Sequence, residues 1–264
     1  MHKAYTTRTQ AVHRAKAIAI TRQKNGSVTL PLLLGAAAIV AATLIPQITR
    51  AGTFSPPQGC TLTVTVQNRS CTVSQFYQCS HDAAGDQRTA IFDKDGLTYE
   101  SRIDAETRWM ESYSHRTGIK DRLIAEARDH ASYSTLLETG MDDFDFWTES
   151  NTGERLHRVG QDKLTGRKVT IDGVELEETR FQLTTFNAAG DVLIKRSGQQ
   201  YINRDLGRFL GGTEVGTDWT GQRTETNDSP VLFSFPDEEG YGETTPQFDC
   251  DQMMTQLLQE RAQL

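Results

Sequence analysis

No acidic side chain occurs in the first 51 residues, and no short catalytic motif occurs anywhere in the chain. There is no GxSxG elbow, no HExxH, no glycine-rich phosphate loop and no GxGxxG opening a helix, so nothing assigns catalytic residues or a cofactor. Cysteines number only four, none in a CxxC pair, which argues against a zinc site. Lys and Arg are scattered, and in stretches such as 175–180 a basic residue is mixed with Glu instead of lining a groove with interleaved aromatics. Nucleic acid is therefore not expected as a partner. No repeat of fixed period is visible, and no long linker divides the chain after residue 51.

What is present is a basic leader joined to an acidic body. Lys3, Arg8, Arg14, Lys16, Arg22, Lys24 and Arg50 charge the leader, and all 35 acidic residues follow it, so the body is more acidic than the net −7 of the whole chain. Such a body repels anionic membrane surfaces as well as nucleic acid backbones. The leader has a basic region ending at Lys24, an apolar run over 28–45 broken by Pro31 and Gly35, the turn-forming Pro46, and Thr49-Arg50-Ala51 as a candidate cleavage site. These parts predict residues 1–51 to be a signal peptide. The competing reading is an uncleaved N-terminal membrane anchor, about 18 apolar residues being the lower limit for spanning a bilayer. The expected location is exported, periplasmic or extracellular, with membrane contact only through that leader. Residues 52–264 are then a single β-rich exported domain.

Four cysteines in an exported chain predict two disulfides among three connectivities. Cys60 to Cys79 reads as two alternating strands about a polar turn. With Asn68-Arg69 as a two-residue turn, Val66 faces Cys71, Val64 faces Val73 and Cys60 faces Tyr77. Cys79 is then diagonal to Cys60, and a one-residue bulge brings the two nearly opposite. Cys71 and Cys79 lie on one face of one strand, too far apart to bond. The expected pairs are Cys60 with Cys79 and Cys71 with Cys250; a looser turn would instead join Cys60 to Cys71.

Strand follows strand after residue 80, at 88–92, 97–103, 107–113, 119–127, 141–148, 154–160, 167–171, 177–186, 191–196, 200–203, 218–225 and 230–235. Spacers such as Asp172-Gly173 and Asn187-Ala188-Ala189-Gly190 carry turn chemistry. A helix over 131–139 is expected, capped by Asp129 and stopped by Gly140, with a brief second one over 205–210. The stripe Met253, Met254, Leu257 and Leu258 predicts a C-terminal helix over 249–264. The fold class is therefore mainly β: one curved antiparallel meander, half-barrel or barrel-like, with a short internal helix and a C-terminal helix. Carriers of the lipocalin and periplasmic lipoprotein-carrier kinds share such a plan, but no motif of either occurs, so the likeness is one of architecture alone.

The run 141–149 is the most unusual local feature. As a strand it places Asp143, Asp145, Trp147 and Glu149 on one face and Asp142, Phe144, Phe146 and Thr148 on the other. Asp143, Asp145 and Trp147 are candidates for a rim that binds a polar ligand or a hard cation, against the plainer reading of a solvated acidic face over buried Phe144 and Phe146. His81, near Asp82 and Asp86, is the histidine of most interest. The aromatics Phe92, Tyr99, Trp109, Phe144, Phe146, Trp147, Phe181 and Phe186 are of a kind that lines a concave sheet or fills a core. The function expected is non-catalytic binding of a small or apolar ligand on the curved sheet. Alternatives are an envelope protein-interaction module and, less favoured, a hydrolase assembled around His81 or His130.

Overall fold

The computed structural model describes residues 52–251. Thirteen strands form one antiparallel sheet. In chain order they are β1 Cys60–Asn68, β2 Thr72–Cys79, β3 Gln87–Asp93, β4 Gly96–Ile103, β5 Trp109–Ser114, β6 Lys120–Leu123, β7 Met141–Ser150, β8 Arg155–Ile171, β9 Val174–Phe186, β10 Val192–Asn203, β11 Arg208–Asp218, β12 Arg223–Asn227 and β13 Pro230–Ser234. Among the described residues one complete helix, α1 Tyr133–Thr139, lies between β6 and β7. From β1 to β12 each strand pairs with the next, and β13 returns to the free side of β1. The edges are thus β12 and β13, and the sheet is open. The stretch 58–229 contains no proline, so every residue in it keeps the N–H that a ladder requires.

The sheet folds back on itself. Val64 and Val66 of β1, Phe76 of β2 and Phe233 of β13 share one core cluster with Leu176 of β9 and Leu210 of β11. The opposite face of the first strands is buried as well. Leu62, Tyr77, Cys79 and Ala90 pack with Phe54 and Tyr241, brought by the segments that precede β1 and follow β13. Gln67 Nε2 donates to the Thr245 carbonyl at 3.1 Å, Gln75 Nε2 to that of Glu243 at 2.6 Å, and the Gly242 N–H to Thr65 Oγ1 at 2.8 Å. These bonds satisfy polar side chains that the double covering removes from water.

Both expected disulfides form, Cys60 with Cys79 and Cys71 with Cys250. The register that brings them together differs from the expected one. Asn68 pairs with Thr72, so the turn holds Arg69, Ser70 and Cys71, with Ser70 and Cys71 at φ of 62° and 53°. Val66 therefore faces Ser74, not Cys71, and Val64 faces Phe76. A bulge between Leu62 and Val64 then sets Cys60 directly opposite Cys79.

Other expectations are corrected. Positions 205–210 form no helix: Asn203 pairs with Arg208 across a turn in which Asn203 Oδ1 accepts the Leu206 N–H at 2.7 Å. Ser132, not Asp129, caps α1, its hydroxyl accepting the Thr135 N–H at 3.2 Å. Asp129 is unavailable because its backbone exchanges two hydrogen bonds with Asp145. The strand expected at 119–127 shortens to β6, whereas 154–171 and 191–203 run through their expected spacers as β8 and β10. Gly198 and Gly212 sit inside β10 and β11, where a Cβ would collide with the carbonyls of Thr213 and Gln199. They permit close backbone approach at a bulge. The leader 1–51 and the stripe Met253, Met254, Leu257 and Leu258 lie outside the described residues.

Candidate functional site

Register assembles a mixed aromatic and cationic face over β4 to β9. Phe146 of β7 stands opposite Arg158 of β8, which stands opposite Thr185 of β9. Alternation places Asp142, Phe144, Phe146 and Thr148 on this side with Arg158, Gly160 and Asp162. Trp109 of β5 completes it, its ring 6.2 Å from Phe146 and edge-on to it, with the Arg158 guanidinium 5.0 Å over the indole. β5 and β8 are three strands apart, about 14 Å along a flat sheet. Side chains that meet across that span belong to a concave face. Tyr99 of β4 acts electrostatically on the same guanidinium. Tyr99 and Trp109 are 36% and 46% exposed, large apolar groups left open to water.

Arg158 is largely desolvated, and burial lowers its pKa while the Asp121 charge opposes that shift. Its Nε donates to Thr148 Oγ1 at 3.3 Å and Nη1 to Thr185 Oγ1 at 3.5 Å, both long for hydrogen bonds. Among the described residues no carboxylate lies within ion-pair distance of it. The neighbouring Arg196 has Glu214 at 3.4 Å. Deeper on this side, Asp162 faces Asp142 across β7 and β8. Burial, followed by the Asp142 charge, pushes the Asp162 carboxyl up to about 7. Burial likewise raises Asp142, which accepts the Ser132 N–H at 2.9 Å.

The residues singled out in the sequence lie elsewhere. Asp143, Asp145 and Trp147 share the other face of β7, as alternation requires. Asp143 accepts from Gln161 Nε2 at 2.7 Å. Asp145 meets His157 Nε2 at 2.6 Å and Arg128 at 3.5 Å. The Trp147 ring stacks on His157, centroids 4.5 Å apart and planes 9° apart. Phe186 completes that cluster, while Phe92 belongs to the one under Phe54. The expected aromatic lining is thus divided between two faces of the sheet. Asp142, expected on the apolar side, is buried there with its carboxylate bonded to the chain.

His81 is exposed and close to the Cys60–Cys79 bridge, with its ring nitrogen and the two sulfurs within 4.8 Å of one another. Sulfurs bonded to each other are not thiolates and do not ligate a metal as such. The acids near His81 pair with arginines, Asp82 with Arg88 at 2.6 Å and Asp86 with Arg102 at 2.5 Å. His130 Nε2 meets the Ala125 carbonyl at 3.0 Å, and Ser132 serves the helix cap.

A cleft of about 770 Å³ opens at the β8–β9 and β10–β11 turns, lined in part by Val174, Ile202, Leu206 and Phe235. Four of its charges pair with each other, Lys168 with Glu175 at 2.8 Å and Arg204 with Glu177 at 2.5 Å. Arg158 differs in having no such partner. The sequence contained one signal for it: in β8 an arginine alternates with Leu156 and Gly160, a cation at an apolar-side position. No family model, curated protein or solved structure matches this chain.

Proposed function

We propose that this is an exported, non-catalytic protein that binds an apolar ligand on the concave face of its sheet. The observation that carries the reading is the pair Tyr99 and Trp109, half-exposed on the face that also holds Phe146. Large aromatics left open on a concave surface are what a ligand covers. Export is supported by the basic leader with its apolar run and by two disulfides, which persist in oxidising compartments. Among the described residues no helix is long and apolar enough to cross a membrane.

Titration of tryptophan emission with a panel of fatty acids and lipids tests the reading. Saturable quenching at micromolar ligand that disappears in Trp109→Phe is expected; no binding by any member sinks it. A protein-interaction reading draws on a different place, the wholly exposed edge strand β12 and Trp219, 75% exposed at the tip of its hairpin. An open edge offers hydrogen bonds to another strand. Cross-linking in cells that recovers only monomer would dispose of that second reading.

A further inference from the structure

We infer that the ligand of the concave face is a fatty carboxylate, its headgroup paired with Arg158 and its chain laid over Trp109, Tyr99 and Phe146. The inference rests on the apolar-ligand reading above and adds the chemistry of the head. A desolvated guanidinium is ordinarily matched by an anion, because the loss of its hydration is offset only by close charge and good hydrogen bonds. Among the described residues Arg158 has neither: its two bonds to threonine hydroxyls are 3.3 and 3.5 Å, and Asp121, the acid that acts on it most, stands beyond ion-pair distance. Its planar fork suits a carboxylate, which accepts two parallel N–H donors. Thr148 and Thr185 each keep a hydroxyl hydrogen for an oxygen placed between them.

The charge balance selects a monoanion. Asp142 and Asp162 stand deeper on this side and Arg196 is matched by Glu214, so among the described residues Arg158 is the cation beside Trp109 that lacks an ion-pair partner, its charge partly opposed by Asp121. A phosphate monoester would bring close to two negative charges to that one cation. The aromatic groups flanking the guanidinium supply the apolar half, with the Trp109 ring at once under Arg158 and open to solvent. An amphiphile with one charge at one end of one chain meets both features together.

The test uses the full chain with Trp147→Phe and Trp219→Phe, which leaves Trp109 as the sole emitter of the three tryptophans. Dodecanoate, dodecanol and dodecyl phosphate, all below their micelle concentrations, share one chain and differ in the head. Dodecanoate is expected to bind at least about tenfold tighter than dodecanol, the effect of one charge-assisted pair. Arg158→Gln should bring the two within about twofold, chiefly through loss of dodecanoate affinity. Asp121→Asn, which removes the opposing charge, should tighten dodecanoate about threefold and leave dodecanol alone. Equal affinity for dodecanoate and dodecanol in the parent chain overturns the carboxylate inference while the apolar-ligand reading stands. Dodecyl phosphate binding about tenfold tighter than dodecanoate overturns it in favour of a phosphate. Failure of all three to bind removes both readings.

Discussion

Two desolvated arginines, neither with a carboxylate at ion-pair distance among the described residues, divide the molecule into a packed end and an open face. Arg208 of β11 lies flat on Phe76, 3.6 Å from the ring, with Nη2 donating to Thr89 Oγ1 at 2.7 Å and Nη1 to Gln87 Oε1 at 3.2 Å. Burial pulls its pKa down to about 9, so it keeps its charge at neutral pH. Arg158 has a ring at 5.0 Å and only long bonds to hydroxyls, beside half-exposed Trp109. Both cations are held by neutral groups and an aromatic face. The difference is access: Arg208 is 5% exposed and joins strands from opposite ends of the sheet order, whereas Arg158 borders the open concavity. The first acts as a structural cross-link, and the second is placed to meet a ligand.

The comparison is most severely tested at the covalent tie of the packed end. Cys71 and Cys250 are 179 residues apart, and opening that loop with Cys71→Ser and Cys250→Ser should cost about 5 kcal/mol on the chain-entropy account. Urea unfolding of the doubly substituted chain measures it. A loss below about 2 kcal/mol would mean that non-covalent packing alone holds this end. Next in size is Arg208→Ala, expected to cost about 3 kcal/mol from the cavity over Phe76 and the lost bonds to Gln87 and Thr89. If that variant is as stable as the parent, Arg208 is no cross-link and the contrast with Arg158 collapses.

Much of the packed end was legible because its signals are local. Alternation marked β1 and β2, the eight-residue separation kept Cys71 from Cys79, and Asp172-Gly173, with φ of 49° and 77°, is the two-residue turn its composition implies. The errors share one cause, which is that register is a relation between strands. Asn68-Arg69 has the composition of a tight turn, yet the chain turns over Arg69, Ser70 and Cys71 because that spacing and the bulge after Leu62 set Cys60 against Cys79. Gly198 falls in the gap between the expected strands 191–196 and 200–203 because glycine breaks isolated segments; only the neighbouring backbone reveals that it and Gly212 allow close approach. The open face suffered most. That Arg158 lies beside Phe146 and over Trp109 depends on three successive strand pairings from β5 to β8, which no local pattern contains.

Asp162 sharpens the comparison through pH. Its carboxyl moves from 3.8 in the unfolded chain to about 7 in the folded one, so the folded state binds the extra proton between those values. This residue's contribution to stability is full below the lower value and is lost as pH rises through the upper one. Asp162→Asn should therefore be more stable than the parent at about pH 8 and equal to it at about pH 3, the reverse of a packing defect. Screening by water at a half-open face holds the gain to about 2 kcal/mol. Urea unfolding of both chains across that range gives the difference, and a gain that does not change with pH would show that the paired acids Asp142 and Asp162 are not its origin.

The smallest expected effect is the stability change in Arg158→Gln, and its smallness is the point. Thr148 and Thr185 accept from Arg158 at 3.3 and 3.5 Å, where a hydrogen bond adds little, and the guanidinium sheds part of its desolvation penalty when it is replaced by a neutral amide. Glutamine still reaches a threonine hydroxyl and leaves no buried charge. The change in unfolding free energy should stay within about 1 kcal/mol, well under that of Arg208→Ala. A cation whose removal leaves the fold intact is free to serve something outside the chain. Should Arg158→Gln destabilise as much as Arg208→Ala, Arg158 is a second cross-link, and the open face has no unpartnered group to offer a ligand.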